Sequence, residues 1–200
     1  MSVQPHVLYL HGFLSSPQSL KAQQTLAYCI EIGLGENITI PQMSHGPAET
    51  IAELSKLIDK IGSDHLVLMG SSLGGYYATY LAELYKAPAV LINPAVRPYD
   101  LWESRLGENR NYYSDEIHVV TRAHIDELKQ IDVSKLSEPN NFKVFLQTGD
   151  ETLDYRQALE KFGKSQCVVH EKGSHSYDDF EHELPLMFEF FLSRIGQNKR

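Results

Sequence analysis

Six short apolar runs decide what this chain can fold into. They lie at residues 7–11, 37–40, 65–69, 87–92, 143–147 and 167–169, and helix-like stretches separate most of them. The runs are continuous rather than alternating between apolar and polar, so each suits a strand buried on both faces. Strands of that kind alternating with helices specify a parallel sheet covered by helices on both sides. The expected fold class is therefore α/β, with about six parallel strands. Two hundred residues are enough for one sizeable core, so a single domain over residues 1–200 is expected.

The helical stretches carry their own start and stop signals. Ser16 and Pro17 read as an N-cap followed by proline at the first helical position, with Leu20, Leu26, Ala27 and Ile30 facing inward and a stop near Gly33 or Gly35. Pro47 opens a second helix, in which Ile51, Leu54, Ile58 and Ile61 recur at helical spacing before Gly62. A third runs from Leu73 to about Lys86, with Ala78, Leu81, Ala82 and Tyr85 on one face, and a fourth from Tyr155 to Phe162. The last, about residues 178–195, lines up Phe180, Leu184, Met187, Phe191 and Ile195, and Pro185 implies a break or kink near its start.

Residues 94–141 interrupt the rhythm. The segment is polar, rich in tyrosine and charge, with helices expected around Leu101 and between Ile125 and Ile131. Placed after a strand's carboxyl end, it is either a small cap-like insertion over a site or a loosely packed surface excursion. The tail at 196–200 is expected to fray.

Charge and composition exclude several functions. A formal charge of −8 supplies no basic excess for nucleic acid. No apolar run reaches the ~20 residues of a membrane span, and the N-terminus lacks the cationic and apolar regions of a signal peptide. Cys29 and Cys167 are far apart, without metal-ligand spacing, and read as free thiols. The expectation is a cytoplasmic protein without metal or cofactor.

The third run ends in Gly70, Ser71, Ser72, Leu73 and Gly74, a G-x-S-x-G pattern. That pattern sets a serine on a sharp strand-to-helix turn with its hydroxyl exposed, and side chains at Gly70 and Gly74 would clash where strand and helix pass. A serine hydroxyl near neutral pH needs a base, the base an orienting acid, and the transition state oxyanion donors. In a parallel α/β sheet these lie after strand carboxyl ends, in the chain order serine, acid, histidine. Asp150 follows the fifth strand, and Glu151 and Asp154 compete with it; Asp154 precedes a helix and also suits an N-cap.

Among nine histidines, His175 alone combines a loop after the last strand, the right chain order and a glycine two residues earlier. His6 precedes the first strand, His65 begins the third, and His118 and His124 precede the fifth. His170 ends a strand, and His182 lies in the last helix. The oxyanion donors expected are the backbone N–H groups of Leu73 and Phe13, and His11 reads as a loop-shaping residue. Arg97, after the fourth strand, suits either an anionic substrate group or a salt bridge that anchors the insertion.

These features mark an α/β-hydrolase. Several strings further resemble the YqiA-type bacterial esterases: residues 8–13, 70–78, 93–98, 147–156, 173–175 and 180–181. The resemblance covers nearly the whole chain, and its most specific parts are Asn93 to Pro98 and Gly149 to Arg156. It implies a small single-domain cytoplasmic esterase acting on short acyl esters and acyl thioesters of coenzyme A. It also implies Ser72 as nucleophile, Asp150 as acid and His175 as base. The chain departs from the family pattern at Ser174, where an asparagine is usual. The resulting expectation is a serine hydrolase for small acyl esters or thioesters. An acyltransferase or amidase with the same triad, or a non-catalytic interaction module, are the alternatives. Acyl-chain length and oligomeric state are not written in the sequence.

Overall fold

The computed structural model describes residues 4–195, so the expected frayed tail and the first three residues of the N-terminus lie outside them. Along the chain run β1 (His6–Leu10), α1 (Leu20–Glu31), β2 (Ile38–Thr39), α2 (Pro47–Ile61), β3 (Leu66–Ser71), α3 (Leu73–Tyr85) and β4 (Ala89–Ile92). Then come α4 (Pro98–Trp102), β5 (Gly107–Arg110), β6 (Ile117–Val120), α5 (Arg122–Gln130), β7 (Phe142–Gln147), α6 (Tyr155–Phe162), β8 (Gln166–His170) and α7 (Phe180–Ile195). Six of the strands form one sheet in the order β2-β1-β3-β4-β7-β8, and every neighbouring pair is parallel.

Burial on both faces explains the continuous apolar runs. In β1, Leu8 and Leu10 join a core with α2, α3 and residues of the 94–141 segment. Val7 and Tyr9 point the other way, into a core with α1 and α7. Successive side chains on a strand alternate between faces, so a strand between two cores must be apolar at both parities. The central β3 is buried at all six positions, whereas the edge strand β8 is half exposed.

Two helices depart from the pattern read in the sequence. The first begins at Leu20 behind Ser19, not at Pro17, because the Ser16 hydroxyl accepts the Gln18 N–H and closes a turn of its own. Its buried stripe is Ala22, Thr25 and Cys29, while Leu20 and Ile30 are exposed and Ala27 faces solvent. Small residues face inward because α1 lies close against α7, with the Tyr28 and Phe188 ring centroids 5.1 Å apart. The second departure is α7, which runs unbroken through Pro185. A proline inside a helix costs about 3 kcal/mol. Seven buried apolar side chains on this helix, at about 2 kcal/mol each, outweigh that cost.

Residues 94–141 are packed, not loose. Trp102, Val120, Ile125, Leu128 and Leu136 are buried in the core beside α2 and α3. The segment also contains the antiparallel pair β5–β6, which the sequence reading missed. Gly107–Arg110 is polar and largely exposed, so it carries no strand signal, and β6 alternates exposed Ile117 and Val119 with buried His118 and Val120.

Candidate active site

The turn from β3 into α3 holds Ser72 at φ 55°, ψ −120°, a conformation costing a side-chain-bearing residue on the order of 1–3 kcal/mol. The surrounding backbone imposes it. Ser72 N–H donates to Ile92 O at 3.1 Å, and Ser72 O accepts from the N–H groups of Gly75, Tyr76 and Ala95. A Cβ at Gly70 would stand 2.4 Å from Gly74 O, the expected strand–helix crossing. A Cβ at Gly74 would stand 2.0 Å from Leu10 O, so the helix start presses on the neighbouring strand β1 rather than on its own.

Ser72, His175 and Asp150 come together although they lie in three separate loops. Ser72 Oγ is 2.9 Å from His175 Nε2, and His175 Nδ1 is 2.8 Å from Asp150 Oδ2. The Asp150 side chain is 2 % exposed, and its Oδ1 accepts the N–H groups of Thr152 and Leu153, both at 2.8 Å. Every oxygen of the buried carboxylate is thus occupied, as a charged buried group requires. With Oδ2 as acceptor, Nδ1 carries the proton and Nε2 is left to accept from the serine hydroxyl.

The competing acids have other work. Asp154 is the N-cap of α6, accepting the Arg156 N–H at 3.0 Å and pairing with its Nε at 2.8 Å. These bonds hold its pKa below the usual carboxylate value. Glu151 accepts the backbone N–H of His175 at 3.0 Å.

The loop after β1 reaches the same place. A Cβ built on Gly12 would lie 3.8 Å from Ser72 Oγ. Leu73 opens α3, so its N–H has no carbonyl one turn back and sits at the positive end of the helix. Phe13 and Leu73 both line the crevice above Ser72. His11 shapes this loop, as its position suggested: Nε2 accepts the Met43 N–H and Nδ1 donates to Gly12 O at 2.9 Å. Burial lowers its pKa and keeps the ring neutral.

The crevice has a volume of about 890 Å³ and includes Ser72 and His175 in its wall. Phe13, Leu101, Trp102 and Leu153 give it apolar surface, while Lys21, Gln24, Arg105 and Asp178 give it polar surface. Arg97 is not among its lining residues; it pairs with Asp100 at 2.8 Å on the outside of α4. The hairpin β5–β6 is tied to the loop after β1, with Tyr112 N–H donating to Leu14 O and Asn111 Nδ2 to Ser15 O.

Two residues at or beside the site escaped the sequence reading. Lys21 donates to Ser176 O at 2.7 Å; burial pushes its ammonium down to about 8, partly offset by the Asp150 carboxylate. His118 packs edge-on against Phe13 at 4.9 Å and stacks with His45 at 4.4 Å, and burial lowers its pKa to about 4. Lys21 lies in a polar stretch where nothing local marks it, and His118, set aside by chain order, sits between the exposed apolar residues Ile117 and Val119.

Residues 6–192 match the family described as Uncharacterised protein family UPF0227. The chain belongs to UPF0227. A UPF0227 protein of Vibrio parahaemolyticus is 23% identical over 186 residues, covering 92% of this chain and 98% of its own. Among solved structures, the mouse alpha/beta hydrolase domain-containing protein 10 superposes with a TM-score of 0.74 at 16% identity, covering 98% of this chain and 92% of its own. Est1E from Butyrivibrio proteoclasticus, with ferulic acid bound, superposes with a TM-score of 0.71 at 12% identity, covering 98% of this chain and 92% of its own. This UPF0227 chain has the α/β-hydrolase fold.

Proposed function

We propose that the chain is a serine hydrolase that cleaves carboxylic esters or acyl thioesters through an acyl-enzyme intermediate. The observation carrying the proposal is the unbroken hydrogen-bond chain from Ser72 Oγ through His175 to buried Asp150, at 2.9 and 2.8 Å. Ser72 attacks the acyl carbonyl as His175 Nε2 takes its proton, and the carboxylate of Asp150 stabilises the imidazolium. The N–H groups of Phe13 and Leu73 receive the oxyanion; losing one such donor costs ~3 kcal/mol of transition-state stabilisation. His175 returns the proton to the leaving group, then activates the water that releases the acid.

Substrate choice falls to residues 94–141, which act as a cap. They bring Leu101 and Trp102 to the crevice wall, and Trp102 stands 4.8 Å from the Phe13 ring. Apolar surface beside the nucleophile favours an acyl or aryl group there. The fold is shared with the esterase domain of a Rhodothermus marinus protein, at a TM-score of 0.64 and 14% identity, which favours the ester over the amide. A panel of p-nitrophenyl esters, acyl thioesters and anilides of matched acyl chains tests the reading. Turnover of esters or thioesters that vanishes in Ser72→Ala supports it. Turnover confined to anilides, or unchanged in Ser72→Ala, contradicts it.

A further inference from the structure

The loop carrying His175 has an unusual backbone. Lys172, Tyr177 and Asp179 all have positive φ, at 67°, 65° and 59°, and so does Gly173 at 75°. Such angles disfavour residues with a Cβ, so the loop does not take this shape unaided. It also lies between β8 and α7, where no ladder or helix satisfies its peptide groups.

Two buried amides at adjacent strand ends supply what is missing. Asn93 follows β4 and is 2 % exposed; Gln147 ends β7 and is 5 % exposed. Gln147 Oε1 accepts the N–H groups of Ser174 at 3.0 Å and Asp178 at 2.8 Å, while its Nε2 donates to Asp178 O at 2.8 Å. Asn93 Nδ2 donates to Ser174 O at 2.9 Å and His175 O at 3.3 Å, and its Oδ1 accepts the Gln147 backbone N–H at 3.0 Å. Reversing either amide would set oxygen against carbonyl oxygen and nitrogen against N–H. The two side chains are therefore oriented and coupled: Asn93 grips the His175 peptide and also the backbone of the residue that grips both ends of the loop.

Three further features fit this arrangement. Asn93 sits at φ 38°, a left-handed angle that asparagine tolerates better than most residues. A Cβ at Gly173 would fall 2.1 Å from Gln147 Oε1, so the close grip requires glycine there. Finally, the bonds act on the backbone of the histidine that must hold Nε2 within 2.9 Å of Ser72 while Nδ1 stays on Asp150.

We propose that Asn93 and Gln147 are positioning residues, a two-amide clamp that sets His175 for proton transfer with Ser72. The clamp touches neither substrate nor the reacting atoms. It rests on the reading of Ser72, His175 and Asp150 as the catalytic chain. Its loss lowers the rate of the chemical step more than it weakens substrate binding, because neither amide lines the crevice and only the 175–179 part of the wall depends on them. A displacement of about 1 Å at a catalytic group costs up to about 100-fold.

The test compares Gln147→Met, which keeps the volume and removes all three side-chain bonds, with Asn93→Gly, which keeps the positive φ and removes the amide. The assay is kcat and KM on a p-nitrophenyl ester, with the rate of fluorophosphonate labelling of Ser72 and the melting temperature alongside. The expected result is a fall in kcat and labelling rate of about 10- to 100-fold with KM within about threefold. Gln147→Glu retains the acceptor for both N–H groups and should recover part of the loss. In a His175→Ala background nothing remains to be positioned, so the clamp substitutions should change the residual rate less than about twofold. Parental kcat in both variants overturns the clamp, as does a loss of equal size in the His175→Ala background, which would mark a general structural defect. If the unsubstituted protein shows neither turnover nor labelling, the catalytic reading falls and takes the clamp with it.

Discussion

Replacing Asp150 by asparagine changes one atom, and the surroundings dictate which atom it is. Oδ1 of Asp150 faces two N–H donors, from Thr152 and Leu153, each at 2.8 Å. An amide nitrogen there would meet both donors head-on, so the asparagine must keep its oxygen at that position. Its NH₂ then takes the place of Oδ2, 2.8 Å from His175 Nδ1. An N–H can donate only to an unprotonated Nδ1, which moves the imidazole proton to Nε2. That nitrogen, 2.9 Å from Ser72 Oγ, can no longer accept the serine proton. The hydrogen-bond count and the packing are preserved, so the melting temperature should stay near the parental value while chemistry fails. A wrong tautomer of this kind costs about 10⁴-fold in kcat, or ~5 kcal/mol of activation free energy. Steady-state hydrolysis of an activated ester, with a thermal melt of each sample, measures both. Asp154→Asn is the control, since its oxygen can still cap α6; activity should stay within about twofold because an exposed ion pair contributes little. A loss below tenfold in Asp150→Asn, or a larger loss in Asp154→Asn, would refute the reasoning.

Other substitutions probe other parts of the account. Ser72→Ala should abolish ester turnover, by about 10⁶-fold as for a nucleophile acting in a unit with its base. Ser71→Ala, at the buried end of β3, should cost no more than about tenfold, because a buried hydroxyl contributes packing and hydrogen bonding of about 1 kcal/mol. Gly74→Ala drives a methyl group to 2.0 Å from Leu10 O, so it should destabilise the fold by about 3 kcal/mol or more and lower the melting temperature by roughly 10 °C. A variant that melts like the parent would show that the elbow does not press on β1. His118 takes up its proton at about 4 when folded but near its ordinary value when unfolded, chiefly because it is buried, with His45 and His124 adding to the shift. The unfolded chain therefore binds more protons between those values, and stability falls as pH drops from about 6.5 towards 4. His118→Phe should flatten that part of the melting temperature profile, and an unchanged slope would assign the loss to other groups.

How much of this was legible in the sequence depends on whether the deciding interaction is local. The sheet was legible because burial on two faces leaves a continuous apolar trace in each strand. Ser72 was legible because Gly70 and Gly74 record backbone contacts that tolerate no side chain. His175 stood out by chain order and loop position. The choice between Asp150 and Asp154 was not legible from spacing, since both follow the same strand and only side-chain direction separates them. The inward face of α1 was misread for a similar reason: Leu20 and Ile30 outrank Ala22 and Thr25 in hydrophobicity, but the near approach of α7 favours small residues. The β5–β6 hairpin left no trace because Gly107–Arg110 is polar and only half of β6 is buried. Asn93 and Gln147 were visible only as polar residues at the ends of apolar strands; their partners lie 27 to 82 positions away along the chain.

The central claim is that Ser72 is the nucleophile of this hydrolase fold. Its most direct test is to treat the native protein with a fluorophosphonate, digest it, and locate the adduct by mass spectrometry. The account predicts a single adduct on Ser72, slowed by orders of magnitude in His175→Ala and absent in Ser72→Ala. An adduct on Ser71, on a serine outside the crevice, or on none at all would contradict it.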